Sequence, residues 1–233
     1  MRKLKTQNEY TARAEFLRHS NLFNDFDDNK IGQLALICME CSFKKGDMIY
    51  AEGDKPEYLY VFQSGKIKFF SYSVSGKAVV ARVTSNADLG GIANLYTGDL
   101  RWLSAQALDD MQALKIRRKD FLQFMRENPE LALKIQGIME HFLHGLFNRF
   151  KAAVASPVEQ RVFNVLYQLN EKFGTPLPFS DEDIASLVGT TRETTVRVLG
   201  RLQKLSIVKS SRCSISILDG ARLRELKQEY PVM

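Results

Sequence analysis

Glycines interrupt the chain at short intervals between residues 43 and 114, and this spacing limits the fold more than any other feature of the sequence. Between them lie short runs rich in aromatic and β-branched residues, such as LYVFQSGKIKFF. Strands with a turn signal about every 8–12 residues are typical of an antiparallel sandwich or barrel. The sequence therefore predicts an all-β unit of about eight strands. The glycines that mark its turns are Gly46, Gly53, Gly65, Gly76, Gly90 and Gly91.

Helical patterns flank this β-rich region. Residues 14–40 carry apolar side chains at loosely helical spacing, and residues 131–154 form a longer helical stretch of roughly 36 Å. Apolar residues in the longer stretch step by four and three, which is the seam of a coiled coil and favours pairing with a second copy in a homodimer. Packing of this helix on its own domain is the alternative. The predicted seam consists of Met139, Leu143, Leu146, Phe150 and Ala153.

A new domain is predicted to start at the segment SPVEQRV. Ser156 is the expected N-cap, Pro157 occupies the first helical position, and Glu159 follows the serine by three residues, as in a capping box. The predicted helix covers residues 157–172. The chain is thus divided into a β-roll at 1–127, a dimerisation helix at 128–155 and a C-terminal domain at 156–233.

The C-terminal domain contains the segment SDEDIASLVGTTRETTVRVLGRL. Ser180 and Asp183 form a second capping-box pattern at the start of a short helix that ends near Gly189. Thr191 is the expected cap of the helix that follows the glycine. Two short helices joined by a tight turn containing glycine make a helix-turn-helix.

The second of these helices is predicted to have two different faces. At 100° per residue, its apolar positions fall within about 100° of one another and are expected to pack inward. The opposite arc of about 140° is expected to face outward with donors, an acceptor and an apolar group, which are the means of reading base edges in the major groove. The inward residues are Thr195, Val198, Leu199 and Leu202, and the outward residues are Arg192, Glu193, Val196, Arg197 and Gly200.

Positive charge accompanies this helix. The formal net charge of the 233-residue chain is +6, and residues 184–213 hold six Lys or Arg against one Glu, a local excess of +5 that attracts phosphate. The segment VKSSRCSISIL alternates apolar residues with serines and is predicted as a β-hairpin wing with Lys209 and Arg212 near its tip. A merely solvated amphipathic helix is the alternative to a winged helix-turn-helix that binds DNA.

From end to end the sequence resembles the Crp/Fnr family of bacterial transcription regulators, through GDMIYAEGDKPEYLYVFQSGKIKFF, ENPEL and GTTRETTVRVLGRL. The resemblance implies an α+β fold: a cyclic-nucleotide-binding-like antiparallel β-roll, a long dimerisation helix and a C-terminal winged helix-turn-helix. It also implies a homodimer on a palindromic operator, with half-sites about 34 Å apart, and RNA polymerase as a protein partner. Arg192, Glu193 and Arg197 would contact base edges, and phosphate contacts would come from Thr191, Thr194 and Ser180, with Arg201, Lys209 and Arg212 as further candidates from their charge.

Val196 departs from the cyclic-AMP branch of the family, which has glycine at this position. A branched apolar side chain is suited to contact a thymine methyl group. We therefore expect an operator that is related to, but differs from, the TGTGA-type half-site that the family implies.

The sensory region departs from the cyclic-AMP branch as well. Gly91 stands where that branch has a ribose-binding glutamate, and Arg101 is followed by Trp102 instead of serine. These differences argue against cyclic AMP, although a cyclic-nucleotide regulator with a degenerate site remains an alternative. A pocket for an apolar or aromatic effector, or a simply filled core, is predicted beside Tyr96, Arg101, Trp102, Leu146 and Phe147.

Cysteine or histidine chemistry offers other signals. Cys38 and Cys41 form a C-x-x-C pair, but the sensory domain has no third cysteine, so a four-cysteine iron–sulfur cluster is not expected within one subunit. The pair is predicted as a redox-sensitive disulfide or as half of a metal site, because this spacing would bring two thiols together at a helix end, or alternatively as two small packed residues. Haem held by His19, His141 or His144 is a further alternative.

Enzymatic activity is not expected. A metal-dependent cupin needs histidines on its strands, and none occurs between His19 and His141. Gly65-Lys66 and Gly76-Lys77 lack the rest of a phosphate-binding loop and are predicted as hairpin turns. Neither a secretory signal nor a membrane-spanning segment is recognised, so a cytoplasmic protein is expected.

Overall fold

The computed structural model describes residues 2–85 and 89–228, with side chains for 9–85 and 89–227. The chain forms two compact units. The N-terminal unit comprises Met1–Ser71 and Ala81–Glu140, and the C-terminal unit comprises Tyr72–Val80 and His141–Met233. Among the described helices, none combines the length and the apolarity that crossing a membrane requires.

The N-terminal part of the chain folds into helices and two four-stranded sheets, ordered β1-β8-β3-β6 and β2-β7-β4-β5. The strand pairings with described register are antiparallel, which confirms the predicted antiparallel β-roll followed by a long helix. The elements are α1 (Arg2–His19), α2 (Asp28–Ile37), β1 (Cys38–Phe43), β2 (Met48–Tyr50), β3 (Tyr58–Phe62), β4 (Ile67–Tyr72), β5 (Ala78–Thr84), β6 (Leu89–Gly90), β7 (Ser104–Ala107), β8 (Met111–Arg117), α3 (Arg118–Glu127) and α4 (Glu130–Ala155).

Alternation along β3 separates two cores within this unit. Leu59 and Val61 pack among the helices, in a cluster that includes residues of α2, α3 and α4. Tyr60 and Phe62 point to the other face and pack against Phe69 and its neighbours between the two sheets. Successive side chains of a strand face opposite sides, so a single strand supplies both cores.

The N-terminal helical region differs from the prediction of one helical stretch at 14–40. Helix α1 ends at His19, and α2 begins after Asp27, whose carboxylate accepts a hydrogen bond from the Lys30 backbone N–H at 2.8 Å. The intervening turn is held by the buried rings of Phe23 and Phe26. Strand β1 begins at Cys38, earlier than the predicted start near Phe43, because its backbone pairs with β8 from that residue onward.

The C-terminal unit contains a helix-turn-helix followed by a two-stranded antiparallel hairpin. The predicted capping box at Ser156 is wrong: α4 continues to Ala155, the Ser156 N–H still donates to the Ala152 carbonyl, and Pro157 is the N-cap without a side-chain hydrogen bond. The elements are α5 (Val158–Phe173), α6 (Asp181–Val188), α7 (Arg192–Lys204), β9 (Val208–Ser211), β10 (Ser214–Ile217) and α8 (Gly220–Gln228).

Two of the predicted turn glycines have nearly the same positive φ angle in different surroundings. The φ angles of Gly53 and Gly65 are +87° and +84°. A Cβ added at Gly53 would meet no atom within 4 Å, whereas one added at Gly65 would lie 2.6 Å from the Met111 Cβ. A substitution at Gly53 therefore introduces backbone strain alone, whereas one at Gly65 also introduces steric overlap.

We expect Gly53→Ala to lower the free energy of unfolding by about 1–2 kcal/mol, the cost of a left-handed alanine. Gly65→Ala should lower it by about 1–3 kcal/mol more, because the methyl group also overlaps Met111. Urea unfolding followed by the fluorescence of Trp102, the single tryptophan, measures both. Equal losses for the two variants would contradict the overlap at Gly65.

Candidate nucleic-acid interface

Helix α6 begins at the predicted capping box. The Ser180 hydroxyl oxygen accepts a hydrogen bond from the Asp183 N–H at 3.1 Å, and an Asp183 carboxylate oxygen accepts from the Ser180 N–H at 3.0 Å. The helix ends at Gly189, whose left-handed conformation (φ 72°, ψ 51°) turns the chain toward α7. A side chain with a Cβ adopts this conformation at a cost of about 1–2 kcal/mol, so glycine suits the turn.

Helix α7 is capped by Thr191, as the sequence predicts. Its hydroxyl oxygen accepts a hydrogen bond from the Thr194 N–H at 3.2 Å. The predicted inward face is buried, and the Thr195 hydroxyl donates to the Thr191 carbonyl at 3.1 Å, which satisfies the polar atom on that face. The buried side chains are those of Thr195, Val198, Leu199 and Leu202.

The outward face of α7 presents its functional groups to solvent. The side chains of Arg192, Glu193 and Arg197 are exposed, and Val196 is 44% exposed between them. Hydrogen bonds from its own N–H and from the Thr191 hydroxyl, with smaller contributions from the charges of Arg192 and Lys77, lower the pKa of Glu193. This residue is therefore an ionised acceptor at neutral pH, beside two guanidinium donors.

A basic wing follows the helix. Strands β9 and β10 pair antiparallel from Val208↔Ile217 to Ser211↔Ser214, and Arg212 and Cys213 form the two-residue turn. Cys213, the second residue of this turn, has a positive φ of 56°. Lys209 and Arg212 are exposed, in agreement with the predicted position of two cations near the tip.

Four of the residues expected to contact phosphate already have polar partners in this structure. The Ser180 hydroxyl donates to the Asp183 carboxylate at 2.6 Å, and Arg201 forms an ion pair with Glu159 of α5. The first contact fixes the start of α6, and the second connects α7 to α5. Thr191 and Thr194 share a hydrogen bond between their hydroxyl groups at 3.2 Å.

Arg161 of α5 also positions the helix-turn-helix, although no sequence pattern indicates it. Its guanidinium donates to the Ala153 carbonyl at 2.7 Å and to the Gly189 carbonyl at 3.3 Å. One side chain thus joins the end of α4 to the turn between α6 and α7. The pattern of apolar residues in α5 predicts the helix but not this polar contact.

The hairpin segment Tyr72–Val80 packs against α6 within the C-terminal unit. The Ser186 hydroxyl accepts a hydrogen bond from the Val80 N–H at 2.6 Å and donates to the Ala78 carbonyl at 3.1 Å. The Lys77 ammonium donates to the Thr190 carbonyl at 3.2 Å. The residues in these contacts are more than 100 positions apart in the chain, and no local pattern in the sequence points to them.

In the β-roll, Arg101 is buried while its neighbours in the predicted effector pocket are exposed. Its guanidinium donates to the carbonyls of Gly91 and Tyr58 at 3.0 and 2.5 Å and lies 4.1 Å from the centre of the Tyr50 ring. Burial raises the pKa of Tyr50 to about 12, so this ring is a neutral partner. Tyr96 and Trp102 are 63% and 57% exposed.

Gly91 allows this arrangement of Arg101. Its φ is +82°, and a Cβ at this position would approach the guanidinium to 2.5 Å. Any larger residue, including the glutamate of the cyclic-AMP branch, would displace the arginine from its present place. The other two predicted pocket residues, Leu146 and Phe147, belong to the C-terminal unit.

The cysteine pair is not brought together by the fold. Cys38 packs in the core among the helices, and Cys41 packs against the core between the two sheets. They lie three residues apart on strand β1, so their side chains face opposite sides, and the expectation that a helix end would bring the two thiols together does not hold. Burial raises the pKa of the Cys38 thiol to about 12.

The candidate haem ligands are all exposed: His19 in the N-terminal unit, and His141 and His144 at the start of the C-terminal unit. Among the described residues, no group of three or more His, Cys, Asp or Glu has the arrangement of a metal site.

The part of α4 in the C-terminal unit carries an exposed apolar stripe. Leu143 and Phe150 of the predicted seam are exposed, Leu146 is half-buried, and Ala153 is exposed but small. Phe147 and Val154 complete a stripe that spans about 60° of the helix surface together with Leu143 and Phe150. Met139, the remaining residue of the predicted seam, is half-buried in the N-terminal unit.

Comparison with known proteins identifies both parts of the chain. Residues 40–128 match the family described as "Cyclic nucleotide-binding domain", and residues 160–226 match "Crp-like helix-turn-helix domain". The structure is also similar to that of the c-di-GMP responsive global regulator CLP of Xanthomonas campestris, with a TM-score of 0.73 and 18% identity over 83% of this chain and 100% of that one.

Two curated relatives align over most of their length. The CRP-like cAMP-activated global transcriptional regulator of Mycobacterium tuberculosis is 24% identical, over 90% of this chain and 97% of that protein. The fumarate and nitrate reduction regulatory protein of Vibrio cholerae is 29% identical, over 78% of this chain and 76% of that protein. The chain belongs to the Crp/Fnr family of DNA-binding transcription regulators.

Proposed function

We propose that the protein is a dimeric, sequence-specific regulator that reads a palindromic operator with α7 and responds to a signal other than cyclic AMP. The observation that carries the proposal is the two-faced α7, which buries its apolar side and leaves Arg192, Glu193 and Arg197 exposed. These groups have the chemistry of direct readout: arginine donates to guanine O6 and N7, and an ionised glutamate accepts from cytosine N4.

The remaining contacts follow from position and charge. Val196 contacts a thymine methyl group, and Thr191, Thr194, Lys209 and Arg212 contact phosphates. We assign Ser180 primarily to capping α6, because its single hydroxyl already binds Asp183, whereas the Arg201 side chain pairs with Glu159 but is 67% exposed and contacts a phosphate with its remaining donors. As a transcription regulator bound at such an operator, the protein has RNA polymerase as its expected protein partner.

Dimerisation through α4 supplies a second copy of α7, which binds the other half-site of the operator. The exposed stripe of Leu143, Phe147, Phe150 and Val154 has the four-three-four spacing of a coiled-coil seam. Large apolar side chains aligned in this way are stabilised when a second copy covers them. A two-fold dimer presents α7 twice, and this matches a palindromic operator.

The signal is proposed to differ from cyclic AMP because Arg101 is already engaged. Its Nη1 and Nη2 groups each donate to a backbone carbonyl and its guanidinium carbon lies 4.1 Å from the centre of the Tyr50 ring, so a cyclic phosphate could use only the remaining N–H donors unless it displaced these contacts, and Gly91 supplies no carboxylate for the ribose. The family is not restricted to one signal, since the names of similar proteins include both cAMP and c-di-GMP. A thiol or haem signal has less support, because Cys38 and Cys41 face opposite sides of β1 and the three histidines are distributed over two units.

Base readout is tested with Arg197→Ala on an operator selected from a random duplex library. We expect a loss of about 1–3 kcal/mol in binding free energy and relaxed discrimination at one base pair. Arg212→Ala at the wing tip is the matched control, and its loss should be similar on selected and scrambled duplexes. An equal loss of affinity for Arg197→Ala on selected and scrambled duplexes, measured by fluorescence anisotropy, would contradict the base-reading role.

Dimerisation is tested with Phe150→Asp, which places a carboxylate in the stripe where covering it would cost several kcal/mol. We expect the native mass from light scattering to fall from that of a dimer to that of a monomer, and affinity for the palindrome to fall with it. Leu133→Asp changes an equally exposed leucine of α4 outside the stripe and should leave the mass unchanged. A monomeric wild type would refute the dimer.

Effector choice is tested by titrating the wild-type protein with cyclic AMP in a calorimeter. We expect no binding at millimolar concentration and no shift in the unfolding temperature, because a ligand that binds the folded state would stabilise it by mass action. The M. tuberculosis relative, named as cAMP-activated, is the positive control. Saturable binding of one nucleotide per chain would refute the proposed signal.

A further inference from the structure

The first turn of α6 carries three consecutive carboxylates, Asp181, Glu182 and Asp183. In a helix-turn-helix the first helix crosses the DNA backbone, where negative side chains repel phosphates. Asp183 is used in the capping box, and Asp181 lies 3.5 Å from the Ser210 hydroxyl. Glu182 is different, because its ion-pair partner comes from a distant part of the chain.

That partner is Lys77, the last residue of the turn between β4 and β5 in the hairpin segment Tyr72–Val80. Its ammonium lies 3.7 Å from the Glu182 carboxylate and donates a hydrogen bond to the Thr190 carbonyl at 3.2 Å. Thr190 immediately precedes Thr191, the N-cap of α7. The Lys77 side chain is 42% exposed, so its charge is presented to solvent beside the start of the recognition helix.

The backbone of the hairpin is fixed in place independently of Lys77. Ser186 of α6 binds both the Val80 N–H and the Ala78 carbonyl, and Arg149 of α4 donates to the Val80 carbonyl at 3.5 Å. The Ser186 hydroxyl both accepts and donates here, so it satisfies two backbone groups of β5 that a neighbouring strand would otherwise bind. Lys77 is therefore held by a docked segment and does not depend on a long flexible loop.

We propose that the hairpin segment Tyr72–Val80 is a DNA-contacting element in addition to the recognition helix and the wing, with Lys77 as its phosphate-contacting residue. This inference rests on the DNA-binding role proposed above and extends its interface to a segment from the first half of the chain. Lys77 offsets the charge of Glu182. It also adds one cation per protomer next to the phosphates that Thr191 and Thr194 contact.

The expected signature is a change in salt dependence. Each phosphate contact contributes about 0.9 to the slope of log affinity against log salt, so two copies of Lys77 in a dimer contribute about 2. Between 200 and 50 mM salt, this difference makes the ratio of wild-type to variant affinity grow roughly tenfold. A phosphate contact should act alike on selected and scrambled sequences, whereas a base contact should not.

The test compares Lys77→Gln with Lys66→Gln in the full-length protein. Lys66 is the matched control because it follows the same Ser-Gly pair in another turn and forms its ion pair with Asp109 in the N-terminal unit. Binding to 30-base-pair selected and scrambled duplexes is measured by fluorescence anisotropy at several potassium chloride concentrations. Circular dichroism verifies that each variant is folded, and Lys77→Arg tests rescue by a second cation.

We expect a shallower salt slope for Lys77→Gln on both duplexes, near wild-type slopes for Lys66→Gln and Lys77→Arg, and a partial effect for Ser186→Ala. Adding Lys77→Gln to the Ser186→Ala variant should then reduce the salt slope by less than adding it to the wild type does. An unchanged slope for Lys77→Gln, or tighter binding, overturns the proposal while the wild type still binds DNA. If the wild type binds neither duplex, the proposed function itself fails, and this inference fails with it.

Discussion

Burial of one side of α7 decides which side chains the protein presents to its surroundings. Val198, Leu199 and Leu202 are almost fully buried, and each large apolar side chain contributes about 1.5–3 kcal/mol when it leaves water. Rotating the helix to bury Arg192 or Arg197 instead would lose this energy and also leave a guanidinium without water. The rotational setting of the helix, and therefore the composition of its outer surface, follows from packing on the inner surface.

Hydrogen bonds at both ends of the turn reinforce that setting. The Thr191 cap, the left-handed Gly189 and the Arg161 guanidinium fix where α7 starts and how it leaves α6. The contacts of Thr191 and Gly189 are local, whereas Arg161 reaches the turn from 28 positions away and is the part of this arrangement that no local pattern indicates. The local contacts explain why the helix-turn-helix, its capping residues and the wing were predictable from the sequence alone, since each element depends on residues that are close together along the chain.

Features that depend on distant residues were not predictable in the same way. One local pattern was also misleading: Ser156 matches a capping box, yet α4 continues up to Ala155 and the Ser156 N–H donates to the Ala152 carbonyl in its last turn. Cys38 and Cys41 suggest a thiol pair, but pairing of their strand with β8 sends them to different cores. For Arg101 the sequence indicated a changed site, and only the fold shows that two carbonyls and Tyr50 surround the guanidinium.

The discontinuous C-terminal unit has a consequence for how such a chain tolerates change. Exposed turn tips normally accept insertions and deletions, because few contacts depend on their length. The tip between β4 and β5 differs, since the N–H of Val80 meets a hydroxyl that lies 106 positions later. Adding or removing a residue there would shift the register of Ala78 and Val80 against Ser186. The length of this small loop is therefore tied to a helix that is synthesised much later, and an excised fragment starting at α4 would lack part of its own domain.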